Sequence, residues 1–161
     1  MVEDATLNDL DEIMCLWAEF SIELNTTYPH SDVPHTPHNQ TQYAHLFRMY
    51  IEGAIDGTLT VWRPHPGAPI GGVGAGGAGI PGPVRFHERW KKPAWVWGIY
   101  VKPEFRNRGA WRALYRHGRT ALRALGFSHI LGHVLAGNST SYRIGVFSGS
   151  KPYAILLEQE L

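Results

Sequence analysis

The feature that most constrains this chain is a junction between an apolar strand pattern and an amphipathic helix pattern. The apolar run Ala94–Val101 predicts a buried strand, and the segment Gly109–Leu125 carries apolar residues at helical spacing. The loop between them is basic, with Arg106 and Arg108 before the glycine. Backbone N–H groups at a helix start have no partner within the helix, and the helix dipole adds positive charge there. The junction therefore predicts a binding site for a phosphate-bearing ligand.

This junction resembles the central motif of the GNAT family of N-acetyltransferases. In that family a strand ends in Val-x-Pro-Glu-aromatic-Arg, and Arg-x-x-Gly-x-Gly/Ala opens a long helix. The matching segments here are Val101-Lys102-Pro103-Glu104-Phe105-Arg106 and Arg106-Asn107-Arg108-Gly109-Ala110-Trp111. The resemblance implies that acetyl-coenzyme A is the acyl donor. Its pyrophosphate would bind the loop amides of Arg106, Asn107, Arg108, Gly109, Ala110 and Trp111, and its pantetheine arm would pair with the backbone of Ile99, Tyr100 and Val101.

One loop position departs from the family pattern. Trp111 stands where the family usually has glycine or alanine. Its side chain either crowds the pyrophosphate or turns into the core while its amide still binds. The alternative interpretation of the whole junction is an ordinary strand–turn–helix with solvated arginines.

Length and composition predict one globular domain over residues 1–161, because the chain has 161 residues and 43% hydrophobic residues. The single cysteine, Cys15, lies in an apolar helical segment and is predicted to be a buried, reduced thiol. The acidic start is unlike a secretory signal, and no apolar run approaches the roughly 20 residues needed to cross a bilayer. A cytoplasmic protein without membrane association is expected.

Charge is unevenly distributed along the chain. Residues 1–60 hold ten acids and one base, Arg48, whereas residues 61–161 hold fourteen bases and four acids. This asymmetry predicts two binding partners of opposite sign, and in particular a cationic acceptor at the acidic end. The alternative is that the first helix simply has a solvated acidic face.

Periodicity and turn signals predict the element order β-α-α-β-β-β-α-β-α-β. The resemblance implies the GNAT fold, an α/β fold with a mixed, mostly antiparallel sheet flanked by helices and splayed between its fourth and fifth strands. Six glycines within Ile70–Ile80 weaken the third strand. The predicted elements are strand Met1–Ala5, helices Leu7–Ile22 and Thr41–Ala54, strands Thr58–Arg63, Ile70–Ile80 and Ala94–Val101, helix Gly109–Leu125, strand His129–Leu135, a short helix from Asn138 to Phe147, and a last strand within Lys151–Leu161.

The family also implies positions for catalysis. Asn138 matches the asparagine after the fifth strand that contacts the pantetheine arm, and it equally fits a plain helix N-cap. The acid that protonates the departing thiolate is commonly a tyrosine one to two turns later. Here the nearest phenol is Tyr142, only four residues on. It is the candidate catalytic acid, with a purely packing role as the alternative.

A general base is harder to identify, because Trp95–Gly98 contains no carboxylate and Glu104 is expected to orient the loop. Water or a histidine remains, since a histidine has a suitable pKa. The candidate histidines are His30, His35, His38 and His133. The three loop histidines lack a metal-binding spacing, so no metal is expected.

The predicted function is transfer of an acetyl or other acyl group from coenzyme A to an amine. The alternative is a catalytically inactive protein that uses the fold to bind acyl-CoA or nucleic acid, since basic helices bind phosphate backbones. The acceptor is not identified by the sequence, and a homodimer is left open. The arginines that favour nucleic acid are Arg106, Arg108, Arg112, Arg116, Arg119 and Arg123.

Overall fold

A computed structural model describes residues 1–28, 37–78, 91–135 and 137–152, with the side chains of residues 37 and 38 left out. Its core is one five-stranded sheet with strands in sequence order. The first four strands are antiparallel neighbours, and the fifth runs parallel to the fourth. The strands are β1 Val2–Asp4, β2 Gly57–Trp62, β3 Gly72–Gly77, β4 Pro93–Val101 and β5 His129–Leu131.

Four α-helices flank this sheet. The helices are α1 Leu10–Thr27, α2 Pro37–Ile51, α3 Ala110–Ala124 and α4 Ser139–Phe147. Single 3₁₀ turns precede α1 and α3 at Leu7–Asp9 and Pro103–Phe105. The predicted order of elements is confirmed as far as α4. The predicted last strand and most of the turn before β4 lie outside the described residues.

The two faces of the sheet carry separate hydrophobic clusters. On one face α1 and α2 bury Trp17 and Phe47, which are at most 1% exposed, against Val61 and Val73 of the sheet. On the other face α3 buries Leu114 and Leu122. Each helix therefore covers the sheet with one apolar stripe, as its sequence period requires.

A charged hub holds the start of α1 to the end of β2. The Arg63 guanidinium donates to Glu3 at 2.9 Å, to the Ala68 carbonyl at 2.8 Å, and to Asp9. The Asp9 carboxylate also accepts from the Thr6 N–H at 2.8 Å. Burial opposes the ionised form of Asp9, but the hydrogen bonds from Thr6 and the charge of Arg63 outweigh it and lower the pKa of Asp9. Thr6 and Asp9 have the sequence spacing of a capping box, which predicts this interaction. The prediction is confirmed, and a distant arginine extends the interaction.

Two predictions about packing are wrong. Cys15 is exposed, because the buried side of α1 is formed by Ile13, Leu16 and Trp17, and Cys15 lies on the other side of the helix. The helical spacing also predicts that Leu125 lies on the buried stripe of the helix, but Leu125 is 38% exposed. The helix ends at Ala124, and the chain turns away at Gly126, so that Phe127 fills the core position instead.

Candidate active site

A gap opens between β4 and β5 in the middle of the sheet. Parallel pairing joins only Pro93 to His129, Ala94 to Ile130 and Trp95 to Leu131. Strand β4 continues for six residues beyond this point, whereas β5 ends. The predicted strand His129–Leu135 is therefore too long by four residues, because only its first three residues pair with β4. The splayed arrangement implied by the family is confirmed.

A β-bulge in β4 marks the start of the gap. Ala75 of β3 pairs with Gly98, and the next residue, Gly76, pairs with Val96, which leaves Trp97 as the extra residue. The Trp97 indole N–H donates to the Tyr50 hydroxyl at 2.8 Å, and that hydroxyl donates to the Ala78 carbonyl at 2.7 Å. A side chain of α2 thus fixes the bulge.

The bulge changes which side chains face α1 and α2. A Cβ built on Gly98 would come within 2.8 Å of the Phe20 ring, so this position faces α1. Trp97 also packs against the cluster on this face. Residues 99 and 101 contact the α3 side instead. Trp97 and Gly98, consecutive in sequence, thus lie on the same face, which period-two alternation alone does not give.

Ile99–Val101, the segment predicted to pair with pantetheine, is paired with another strand along only one of its two edges. Its residues pair with β3 through Gly74, Val73 and Gly72. The opposite edge lies beside the gap, because β5 has already ended. The backbone groups on that edge are therefore placed where an extended ligand can pair with them.

The loop before α3 adopts the conformation that its glycine allows. Asn107 and Gly109 have positive φ values of 61° and 80°, and the first bond of the helix runs from the Ala113 N–H to the Gly109 carbonyl at 3.0 Å. The N–H groups of Ala110, Trp111 and Arg112 therefore have no carbonyl in a preceding turn of the helix. The predicted loop amide of Arg106 differs from these, because it donates to the Pro103 carbonyl at 3.2 Å. A Cβ built on Gly109 meets nothing within 4 Å, so the loop surface is open there. Asn107 and Arg108 are exposed beside it, and Ala110 is buried beneath.

The Arg106 side chain is bound to neighbouring residues of the protein. Its Nε donates to the Val101 carbonyl at 3.0 Å, its NH2 donates to Glu23 of α1 at 2.6 Å, and its guanidinium lies 5.8 Å from the centre of the Tyr100 ring. The hydrogen bond and charge of Glu23 raise the pKa of Arg106 despite partial burial. Arg106 thus ties the loop to α1, and Arg108 is the loop arginine without such an anchor among its described contacts.

Trp111 turns away from the loop surface. Its ring stacks on Tyr115 at 5.1 Å with an interplanar angle of 10°. It packs against the cluster of Val101, Ala110 and Leu114. Of the two outcomes expected for this departure, the structure favours the one in which the bulky ring packs and leaves the amide available.

Aromatic side chains line the α1–α2 face beside the gap. Trp97 lies 6.4 Å from Tyr43 and 6.5 Å from Trp95, and the His133 ring lies 5.6 Å from Trp95. His133 is exposed. It is the one candidate base histidine whose side chain the structure describes, because His30 and His35 lie outside the described residues and the side chain of His38 is left out.

Two buried tyrosines near the gap keep their protons. Burial, followed by the charges of Glu23 and Glu19, raises the pKa of Tyr100 to about 12. Burial also raises the pKa of Tyr50 to about 12, although its hydrogen bond from Trp97 acts in the opposite direction. Neither phenol can act as a base at neutral pH, but either can donate a hydrogen bond.

The predicted residues of α4 lie at its exposed first turn. The Asn138 side chain accepts from the Ser141 N–H at 3.0 Å and caps the helix. The capping role of Asn138 is thus present, and its contact with pantetheine stays a prediction. Tyr142 is 51% exposed. Its role as an acid also stays a prediction.

No helix in the described ranges is long and apolar enough to span a membrane. Within the same ranges, no three His, Cys, Asp or Glu side chains are grouped so that they could hold a metal ion. The arginines Arg112, Arg116, Arg119 and Arg123 are all exposed along α3.

Sequence reasoning missed two features of the site. The bulge at Trp97 depends on pairing with β3, and no residue pattern within β4 reveals it. The alternating glycines Gly72, Gly74 and Gly76 were visible as a period of two, which places all three on one face of β3. That signal indicates a close approach of α3 rather than only a weak strand.

Comparison with known proteins supports this architecture. A family model described as acetyltransferase (GNAT) family matches residues 16–144. No curated protein sequence matches the chain. Among solved structures, a mutant of the BH1408 protein from Bacillus halodurans has a TM-score of 0.76 at 16% identity, with 100% of this chain and 99% of that chain covered.

Two further structures have named activities. AAC(6')-Iy, in complex with a bisubstrate analogue built on CoA, has a TM-score of 0.68 at 12% identity, with 100% of this chain and 97% of that chain covered. A ribosomal-protein-alanine N-acetyltransferase from Brucella melitensis has a TM-score of 0.66 at 17% identity, with 92% of this chain and 83% of that chain covered. At these identities the likeness of the structures establishes the fold.

Proposed function

The chain belongs to the GNAT family of acetyltransferases, and we propose that it transfers an acetyl group from acetyl-CoA to the nitrogen of an amine. The observation that carries this proposal is the gap between β4 and β5, which opens directly beside the basic start of α3. An extended thioester can lie in the gap while its phosphates meet the amides at the helix start. The helix start alone would suit any simple anion, and the gap alone would suit any extended chain. Together they favour a ligand that has both parts.

The donor would be held by backbone groups and by the charged side chain of Arg108. The edge of Ile99–Val101 would pair with the amides of the pantetheine arm, and the amides around Gly109 would bind the pyrophosphate. Arg108 would add a charge-assisted hydrogen bond. Arg106, held by Glu23, would fix the loop from behind rather than bind phosphate with its side chain.

Catalysis would rest on positioning and on the backbone at the bulge. A strand amide beside Trp97 would donate to the thioester carbonyl oxygen as negative charge develops on it. The neutral amine nitrogen attacks the carbonyl carbon, the C–S bond breaks, and the amine loses one proton. The thiolate gains a proton from Tyr142 or from water, and the amine proton leaves through water or His133.

The acceptor would approach from the α1–α2 face. The excess of acids in residues 1–60 is a weak argument for a cationic acceptor, since seven of the ten acids lie within 4.0 Å of a basic side chain. The aromatic rings beside the gap supply a better one, because Trp97 and Tyr43 are only partly buried and the π face of such a ring attracts an ammonium group. We therefore keep a cationic amine as the proposed acceptor class.

The test is release of free CoA thiol from acetyl-CoA across a panel of amines. The panel includes an aminoglycoside and an alanine-bearing peptide, chosen after the names of two structural neighbours, an aminoglycoside N-acetyltransferase and a ribosomal-protein-alanine N-acetyltransferase. It also includes polyamines and neutral and acidic amines. Turnover with cationic amines that weakens at high salt supports the proposal. A clear preference for acidic amines would refute the acceptor class, and turnover without any acceptor would indicate hydrolysis.

One observation favours a second candidate, a non-catalytic protein that binds acyl-CoA. Strand β4 has no carboxylate, and Tyr142 is 51% exposed at the surface of α4. Calorimetry with CoA separates the two functions. Micromolar binding without turnover on any amine of the panel would favour the binding protein, whereas the absence of binding would exclude both.

A further inference from the structure

The outward side of α3 carries a row of exposed arginines. They recur at intervals of four, three and four residues, which places side chains on one side of a helix. With 3.6 residues per turn, all of them fall within an arc of about 60°. This arc faces away from Leu114 and Leu122, which are buried against the sheet. The four side chains, here called the arginine row, are Arg112, Arg116, Arg119 and Arg123.

The arginine row has no counter-charges. Helix α3 contains no aspartate or glutamate. Across the part of the chain that the structure describes, no carboxylate lies within 4.0 Å of these four guanidinium groups, whereas Arg63 and Arg106 are both paired. The whole chain has a formal net charge of only +1. The positive charge on α3 is therefore a local concentration and not a property of the whole surface.

The stability of α3 does not explain the arginine row. Like charges four residues apart on a helix repel each other, and Arg112 with Arg116 and Arg119 with Arg123 form two such pairs. Arg112 also lies in the first turn, where the helix dipole disfavours a positive charge. A solvated helix is more stable when charges of opposite sign alternate at this spacing. The arrangement therefore lowers helix stability, and a bound polyanion would relieve the repulsion.

The row extends well beyond the proposed donor site. At 1.5 Å per residue, Arg116 and Arg123 lie about 10 Å and 20 Å along the helix axis from Gly109. A pyrophosphate at Gly109 is out of hydrogen-bond reach of both side chains. From Arg112 to Arg123 the row is about 16 Å long, which matches about five phosphates along one strand of a nucleic-acid duplex. A repeating anion of this length is needed to engage the whole row.

The side chains of this surface favour a duplex over other polyanions. Single-stranded nucleic acid is bound largely by stacking of its bases on aromatic rings, but Trp111 and Tyr115 stack on each other beside the row. A membrane surface is bound by basic side chains together with apolar ones that insert into the lipid, and the exposed neighbour of the row is the polar Thr120. A duplex presents its phosphates outward, and guanidinium groups bind phosphates in a bidentate way.

We propose that the arginine row is a docking surface for the phosphate backbone of a nucleic-acid duplex, bound without reading its sequence. The inference goes beyond the proposed function and does not depend on it. The acceptor is proposed to approach from the α1–α2 face, on the other side of the sheet. The duplex would therefore be the place where the protein attaches and not the group that it acetylates.

The salt dependence of binding measures how many phosphates are neutralised. For a duplex, the logarithm of the affinity falls with the logarithm of salt concentration with a slope of about −0.9 for each phosphate. Four arginines predict a slope of about −3.6, so that the affinity falls about 150-fold between about 50 and 200 mM salt. With two arginines removed, the same change in salt should lower the affinity only about 12-fold.

The experiment measures fluorescence anisotropy of a labelled duplex of about 20 base pairs, which is longer than the row. The test variant is Arg116→Gln with Arg123→Gln. The control, Arg48→Gln with Lys151→Gln, removes two exposed positive charges outside the row. A second control, Arg116→Lys with Arg123→Lys, keeps the charge in place. The titrations are repeated with saturating CoA, with a single strand of the same sequence, and with polyglutamate as another polyanion.

Wild type and both controls should bind the duplex with the steep salt dependence, with or without CoA. The test variant should bind at least about tenfold more weakly at about 50 mM salt, with the shallow dependence, and should melt no lower than wild type because repulsion is removed. No binding of the duplex by wild type would overturn the proposal, as would equal losses in the test variant and the charge-removing control. Loss of binding with CoA, or tighter binding of the single strand or of polyglutamate, would also overturn it.

Release of CoA thiol separates this proposal from the proposed function. The test variant should keep the turnover of wild type, because its two substituted residues lie away from the gap and from Gly109. Duplex binding without turnover on any amine would leave the docking surface in place and count against the enzyme. Turnover without duplex binding would do the reverse.

Discussion

The proposed donor site makes a sharp prediction about Gly109, the residue at the open surface of the loop before α3. Gly109 has a φ of +80°, and a Cβ built on it meets nothing within 4 Å. We expect Gly109→Asp to fold and to lose affinity for CoA, because its carboxylate would stand beside the bound pyrophosphate. The uncharged variant Gly109→Asn has nearly the same shape, so the difference between the two variants isolates the charge.

The electrostatic effect can be sized from Coulomb's law. Two unit charges about 5 Å apart repel by roughly 1–3 kcal/mol for effective dielectric constants between about 80 and 20. We therefore expect Gly109→Asp to bind CoA about 5-fold to 150-fold more weakly than Gly109→Asn. The difference should shrink as salt is added, because the loop is exposed and its charges are screened.

The effect on stability has a matched control at the other end of α3. Gly126 has a φ of +82°, and a Cβ there also meets nothing within 4 Å. A left-handed conformation costs a non-glycine residue about 1–2 kcal/mol, less for Asn and Asp. Gly126→Asn should therefore lower the melting temperature about as much as Gly109→Asn, by roughly 2–4 °C, while its affinity for CoA stays that of wild type.

The assay is calorimetric titration with CoA at low and high salt, with a melting curve for each variant. Equal CoA affinities for folded Gly109→Asp and Gly109→Asn would refute the reasoning, because no phosphate would then lie near the loop. Equal losses for the Gly109 and Gly126 variants would show that strain in α3, rather than contact with the ligand, controls binding.

Three other predictions concern catalysis and stability. Tyr142→Phe should lower kcat about 100-fold with unchanged CoA affinity if this phenol protonates the thiolate, and steady-state kinetics with an unchanged kcat would show that it only packs. Tyr50→Phe removes the hydroxyl that fixes the bulge, so it should destabilise the fold by about 1–3 kcal/mol and lower kcat more than CoA affinity, as denaturation and kinetics would measure. Asp9 has a lowered pKa in the folded state, so its stabilising contact with Arg63 is fully present above about pH 4 and is lost as the pH falls through the folded value. Asp9→Asn should therefore lower the melting temperature at pH 7 and by progressively less as the pH is lowered below about 4, and a loss that does not change with pH would contradict the pairing.

The junction at the centre of the chain was predictable because its signals are local. Gly109 permits the left-handed turn, the residues after it have the period of a helix, and Val101 ends an apolar strand. Each of these depends only on neighbours within a few residues. The same holds for the Asn138 cap and for the interaction of Thr6 with Asp9, both of which are present in the structure.

The bulge and the close approach of α3 to β3 depend instead on how distant segments align. Trp97 is the extra residue only because Gly98 and Val96 pair with consecutive residues of β3. Gly74 of the sheet and Leu114 of the helix are 40 positions apart in the sequence, yet a Cβ on Gly74 would come within 3.8 Å of the Leu114 side chain. Local propensity contains no information about such registers, so this half of the site appears only in three dimensions.

The effect of charge is another property that the sequence alone does not predict, because it depends on which charges are paired in the fold. Counting predicts nine net negative charges in residues 1–60, and such a field would steer a cation. In the fold, Arg63 meets Glu3, Asp9 and Glu12, and Arg106 meets Glu23. The two arginines offset two of these four negative charges, so the long-range field is weaker than the count suggests, and salt screens the rest beyond about one Debye length. Selection of a cationic amine must then come from short-range contacts at the rings beside the gap, and it should depend on the shape of the amine more than on its total charge.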